Sequence, residues 1–301
     1  MEFGKLNNLS GVQFSLPPDP KGNEMVLPGT ATGLHIYIGA TGYNMKPWVG
    51  KWYPQGAKDR DFVRWYGQQF NTIEHNTTHY RIPDEATVRR WCDETPGDFR
   101  FCPKIPQLFS HARDLGISSP ELRLFFDRMF DFGPRMGCCF LQLPPHFEPA
   151  HLPVLKRFLE RWPAHTPLAV EVRHEGFFIA TPAAEAYFDL LATFGATAVI
   201  TDVSGRRDVC HCRLTTRTAM VRFVGNGLHP TDYSRVDEWA GRLREWADKG
   251  LETMYFFTHE PDNLLAPELA EYAAQTFQKA IPDAVLRGPA PLLTARQGTL
   301  F

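Results

Sequence analysis

Net charge is what this chain most lacks. Its 32 Lys and Arg stand against 34 Asp and Glu, a balance of −2 over 301 residues. A protein that holds nucleic acid by a strongly basic surface is not indicated, although a local basic patch is compatible with that balance. Cysteine is scarce as well: there are six, none in a C-x-x-C pair. No paired framework suggests a secreted disulfide scaffold, so reduced, buried thiols are expected. Cys210-His211-Cys212 is a poor metal motif, because neighbours in an extended segment point to opposite faces. No apolar run reaches the roughly 20 residues of a membrane-spanning helix. Met1-Glu2-Phe3-Gly4-Lys5 has no apolar core of a secretory signal. No motif for an organic cofactor stands out. A cytoplasmic protein with no membrane partner is expected.

What the chain does have is eight short apolar runs, centred on residues 35–39, 70–76, 99–104, 138–143, 168–174, 197–202, 220–224 and 253–259. Between most of them apolar residues recur at helical spacing. Examples are Phe62, Val63, Tyr66 and Phe70; Leu122, Phe125, Phe126, Met129 and Phe130; and Val236, Trp239, Leu243 and Trp246. Strand and helix alternating in this way predict an α/β protein with a single (β/α)8 TIM-like barrel over residues 34–285. An open doubly wound sheet is the runner-up. The stretch between the sixth and seventh runs is short and weakly helical, so one outer helix is expected to be irregular or missing. Residues 1–33, with Leu16-Pro17-Pro18-Asp19-Pro20, read as an irregular amino-terminal arm. Residues 286–301 read as an extended tail, with Gly288-Pro289-Ala290-Pro291 near its start.

Several runs end in charged or amide side chains where a buried strand should be apolar. Leu168-Ala169-Val170-Glu171-Val172-Arg173 carries Glu171 and Arg173 on one face, since residues two apart point the same way. Glu74, Asn76, Lys104, Gln142, Asp202, Arg222 and Tyr255 also fall in or near strand ends. A charge there needs a partner or water. Their convergence predicts a polar pocket at the carboxyl ends of the strands, the face on which such barrels carry their sites. The competing reading is a set of salt bridges that plug the fold.

The same segments resemble the YecE-like family, domain-of-unknown-function family 72. The resemblance rests on Ile36-Tyr37-Ile38-Gly39 with Lys51-Trp52-Tyr53-Pro54, and on Phe70-Asn71-Thr72-Ile73-Glu74-His75-Asn76-Thr77-Thr78-His79-Tyr80-Arg81. It continues with Phe101-Cys102-Pro103-Lys104, Leu141-Gln142-Leu143-Pro144-Pro145, Glu171-Val172-Arg173-His174 and Tyr255-Phe256-Phe257, and covers about residues 34–280. It implies a TIM-like barrel distantly similar to the endonuclease-IV and xylose-isomerase group, and no known reaction. Thr41-Gly42-Tyr43 and Thr258-His259-Glu260 depart from the commoner family pattern, as does Ser204-Gly205-Arg206-Arg207-Asp208 after the sixth strand.

Glu74 is the first candidate acid or base, because apolar neighbours disfavour a charged carboxyl. Glu171 and Asp202 are supporting carboxylates, able with it to share a proton, activate water or hold a divalent metal. Lys104, Arg173, Arg206 and Arg222 supply positive charge for a carboxylate or phosphate, with Asn76, Tyr80, Gln142 and Tyr255 as further contacts. Gly225-Asn226-Gly227 lies where many barrels bind phosphate, and is also an ordinary turn. His79, His111 and His259 are loop histidines able to reach the mouth, whereas His75 should point away from Glu74. Tyr43, Trp48, Trp52, Tyr53 and Tyr80 read either as an aromatic wall or as loop packing.

The last residues, Gln297-Gly298-Thr299-Leu300-Phe301, resemble the pentapeptide that bacterial replication proteins insert into the sliding clamp, with Gln297, Leu300 and Phe301 in the recognised positions. Together these features predict an enzyme of hydrolase or isomerase type that acts on an anionic substrate, a phosphate ester or a nucleic-acid end, and is recruited to the clamp by its tail. The alternatives are a non-catalytic clamp adaptor, and a sugar or carboxylate enzyme with no link to DNA.

Overall fold

The computed structural model describes residues 3–292. All eight expected runs contain strands: β1 (His35–Gly39), β2 (Thr72–His75), β3 (Arg100–Pro103), β4 (Cys139–Gln142), β5 (Leu168–Glu171), β6 (Thr197–Asp202), β7 (Thr218–Val224) and β8 (Thr253–His259). A ninth, β9 (Val285–Arg287), was not foreseen. The helices Phe62–Gln69, Glu85–Glu94, Glu121–Phe130, Leu152–Arg161, Pro182–Thr193, Pro230–Asp248 and Ala266–Ala280 fill the connections. Between β6 and β7 there is one 3-10 turn, Arg207–Val209, where the sequence predicted an irregular or missing helix. None of the described helices is long and apolar enough to cross a membrane.

The expectation of a single closed (β/α)8 barrel is overturned. Seven parallel strands form one sheet in the order β4-β5-β6-β7-β8-β1-β9, and β2 and β3 pair only with each other. β1 is the reason on one side. Its edge away from β8 is occupied by β9, in the register His35↔Val285 to Tyr37↔Arg287. Further along that edge Asn71 acts in place of a strand: its side-chain oxygen accepts from Ile38 N at 2.8 Å and its amide nitrogen donates to Ile36 O at 2.8 Å. Gly39 lets β2 come this close, because a Cβ there would collide with the Thr72 carbonyl. On the other side, β3 meets β4 through the isolated bridges Phe101↔Met136 and Lys104↔Phe140 rather than a ladder. The doubly wound alternative also fails, since the order runs on from β4 through β8 to β1 without the reversal that fold requires.

The helices bury their apolar stripes against one face of the strands, in a core rich in Trp48, Tyr66, Phe70, Trp239 and Trp246. The opposite faces of the strands meet in a second, smaller apolar cluster of Cys102, Cys138, Phe140, Ala169, Val199, Met220, Tyr255 and Phe257. The amino-terminal arm lies along the outside. Asp19 accepts from Trp246 Nε1 at 2.9 Å, and Asn23 joins Cys212 O and Leu214 N.

Asn71 holds two buried main-chain groups on the edge of β1, the Ile38 amide beyond the end of β9 and the Ile36 carbonyl. Asn71→Ala should therefore cost about 2–4 kcal/mol, as expected when a buried donor and acceptor lose their partner together. Urea unfolding would measure it; a loss well below 1 kcal/mol would mean that water or β9 satisfies the edge instead.

Candidate functional site

Alternation along the strands places a polar layer directly above the small apolar cluster. Register shows the step: Tyr255 lies beside Tyr37 and Met220, Phe257 beside Gly39 and Arg222, and His259 beside Val224. At the upper level Glu74 (β2), Gln142 (β4), Glu171 (β5), Arg222 (β7) and His259 (β8) come together, with Lys104 just past β3.

Arg222 is the hub. Its guanidinium grips Glu74 with two bonds, Nε to Oε2 at 2.8 Å and Nη2 to Oε1 at 3.0 Å, and reaches Glu171 Oε2 with Nη1 at 2.7 Å. All three side chains are almost wholly buried. His259 Nε2 lies 2.9 Å from Glu74 Oε2, and Asn76 Nδ2 donates to Glu74 Oε1 at 3.1 Å. Gln142 Nε2 donates to Glu171 Oε2 at 2.8 Å, which turns its oxygen toward Lys104 Nζ at 2.9 Å. Arg173 Nε donates to Glu171 Oε1 at 3.0 Å and sits nearer the surface. Phe3 from the arm lies over both Arg173 and Arg206, 4.5 and 5.2 Å from ring centre to guanidinium carbon.

These contacts reverse one expectation. Burial does push the Glu74 carboxyl up, but Arg222 and His259 outweigh it and hold the group well below the usual carboxylate range. Burial likewise opposes ionisation of Glu171, yet Arg222 and Arg173 bring it down to about 2. His259 is lowered by burial, with Glu74 pulling the other way. Burial, and then the repulsion of Arg222, lowers Lys104 to about 8. At neutral pH the layer therefore holds two firm carboxylates, a carboxylate-oriented histidine and a lysine near its titration point.

Not every predicted residue joins. Asp202 sits at the end of β6 but faces the helices, tied to Arg207, to Arg235 Nη1 at 3.0 Å and to Trp239 Nε1 at 2.8 Å. Tyr255 faces inward but belongs to the apolar layer below, stacked on Tyr37 at 5.0 Å. Arg206 is engaged by both oxygens of Asp208 and by Arg173 O, so it buttresses Arg173. Tyr80 is 82% exposed, away from the layer's hydrogen bonds. Trp48, Trp52 and Tyr53 are fully buried loop packing. His75 packs on Trp91 at 4.3 Å, opposite Glu74. The Gly225-Asn226-Gly227 loop is already engaged by carboxyl groups of this chain: Asp232 accepts from Asn226 N at 2.8 Å, and Glu260, pushed up to about 7 by burial, accepts from Gly227 N at 2.8 Å. No group of three His, Cys, Asp or Glu able to hold a metal ion occurs among the described residues. Gln297, Leu300 and Phe301 lie outside the described residues.

His259, named among the histidines able to reach the mouth, does so from the last position of β8 rather than from a loop. Phe3 was missed, and nothing local in the sequence placed it over Arg173.

Comparison with known proteins agrees with the family resemblance. A family model described as "Protein of unknown function DUF72" matches residues 37–292. The UPF0759 protein YecE of Escherichia coli K12 is 31% identical over 284 residues, covering 88% of this chain and all of that protein. Among solved structures, a DUF72 family protein from Enterococcus faecalis V583 aligns with a TM-score of 0.60 at 16% identity, over 82% of this chain and 98% of that one. Another from Thermotoga maritima MSB8 gives 0.59 at 24%, over 82% and 99%. At those identities the two structures speak for the fold alone.

The carboxylates make stability acid-sensitive. Both are depressed in the folded chain, so as pH falls the unfolded chain takes up protons first. The stabilisation is complete above the usual carboxyl value near 4.5 and is lost as pH falls toward about 2. Glu171 alone should account for about 3 kcal/mol of that loss. Urea midpoints at pH 5 and pH 3 would measure it, and Glu171→Gln should flatten the difference; a midpoint that does not move with pH would disprove the ion-pair account.

Proposed function

The chain belongs to the DUF72 family of proteins of unknown function, and on that premise we propose that its polar layer is an active site for a small anionic substrate, such as a phosphate ester. One observation carries the reading. Lys104 is only 9% exposed; its ammonium has one hydrogen-bond partner among the described residues, a neutral amide, and no carboxylate within 4.0 Å among them. Its charged neighbours are Arg222, Glu74, Glu171 and Arg173, and both carboxylates are already bonded to arginines. A buried ammonium without a counter-ion of its own is costly. A bound anion supplies that counter-ion, and the nearby Arg173 guanidinium suits carboxylate or phosphate oxygens.

In this reading Glu74 and His259 form the acid–base pair. The firm Glu74 carboxylate fixes the imidazole and partly offsets the burial that lowers it, so that His259 can take up and return the proton. Arg222 keeps Glu74 and Glu171 ionised, and Gln142 sets the position of Lys104. The arrangement favours an enzyme over an adaptor, because a surface that only docks a partner needs no buried acid–base pair. The near-neutral chain favours a small substrate over a long nucleic acid.

A second reading rests on sequence alone. Gln297, Leu300 and Phe301 would recruit the protein to a bacterial sliding clamp, and the curated relative is bacterial.

Isothermal titration with inorganic phosphate and with glycerol 3-phosphate should detect binding that weakens about tenfold or more in Arg173→Met. Absence of heat with both anions would overturn the anion-site reading. Removal of residues 297–301 should abolish binding to a bacterial clamp and leave phosphate binding unchanged; equal clamp binding by both forms, or none by either, would dismiss the tail.

A further inference from the structure

Lys104 has a feature that anion binding does not use. It is the one buried lysine among the described residues. Lys46, Lys51 and Lys249 each pair with a carboxylate near the surface, whereas among the described residues Lys104 Nζ hydrogen-bonds only to Gln142 Oε1. Gln142 cannot turn to offer its amide nitrogen without giving up Glu171. The nitrogen also lies 5.7 Å from the Phe140 ring centre, an apolar face that offers it no hydrogen bond. The groups facing it are Arg222 on β7, Arg173 after β5, Glu74 on β2 and Glu171 on β5, with His79 and His111 toward the rim.

We propose that Lys104 is a nucleophile that forms an imine with an anionic substrate bearing an aldehyde or ketone, such as a sugar phosphate or a keto acid. This deepens the anion-site reading and rests on it. Nζ in its neutral form attacks the carbonyl carbon, and the carbonyl oxygen takes up a proton to give a carbinolamine. The hydroxyl then leaves as water while the nitrogen lone pair forms the C=N bond. Overall one ammonium and one carbonyl give one protonated imine and one water, with no oxidant or other reactant. The Glu74–His259 pair provides the proton transfers on the same polar layer. With Lys104 titrating at about 8, roughly a tenth of it is neutral at pH 7, far more than for an exposed lysine.

The test uses the unaltered full-length protein. Glyceraldehyde 3-phosphate is added with sodium cyanoborohydride, which reduces an imine to a stable amine, and labelled lysines are located by peptide mass spectrometry. Lys104 should be labelled about tenfold or more faster than the exposed Lys46 at pH 7. The rate should rise with a midpoint near pH 8 and be slowed by glycerol 3-phosphate, which carries the anion without the carbonyl. Labelling of Lys104 no faster than of Lys46, or a rate that glycerol 3-phosphate does not slow, would overturn the proposal. Titration with glycerol 3-phosphate separates the two failures. Binding without labelling removes the nucleophile and leaves the anion site; neither binding nor labelling removes both.

Discussion

The Arg222 guanidinium joins β2, β5 and β7 through two buried carboxylates, and the rest of the site depends on that junction. It is not a source of great stability, because desolvating three charges offsets much of what their attraction returns. Its value is in specifying one arrangement. β2 has no ladder to β1 and belongs to a separate strand pair, so its position relative to the large sheet is fixed by one main-chain bond, Glu74 N to Ala40 O at 3.1 Å, and by side chains: Glu74 on Arg222 at one level and Asn71 on β1 at another. A slip of one residue in β2 would turn His75 toward Arg222 and leave the buried Glu74 carboxylate without its guanidinium.

The same junction organises the chemistry. By holding both carboxylates ionised, Arg222 removes them from proton traffic at neutral pH and leaves His259 and Lys104 as the groups that can change state. Gln142 connects the two halves, giving its nitrogen to Glu171 and its oxygen to Lys104. The apolar layer beneath, from Tyr37 to Phe257, keeps water from these groups on the side away from the carboxyl ends of the strands.

Much of this was legible in the chain. Short apolar runs located eight strands, and the polar residues at their ends pointed to Glu74, Gln142, Glu171 and Arg222, which the parallel strands bring to one inner face. Asp202 shows where the parity along a strand was not applied. Thr201 is the residue paired with Arg222, so Asp202, paired with Phe223, must face the helices. Tyr255 had the right parity and the wrong depth, two residues below the level of Arg222. The closed barrel failed for a different reason. Closure depends on whether two distant strands complete a ladder, and no local pattern records that Asn71 and the three-residue β9 will take the edge of β1 first. The acidity of Glu74 was misjudged because its apolar sequence neighbours were visible and its arginine, 148 positions away, was not.

Phe3 rests on Arg173 and Arg206 through the face of its ring. A ring stacks on a guanidinium without neutralising it, so this contact adds packing and no opposing charge. Phe3 also lies outside the residues that the family model matches, 37–292. Part of what packs on the arginines of the polar layer thus comes from beyond the shared segment, and proteins that share the layer can differ in what covers Arg173.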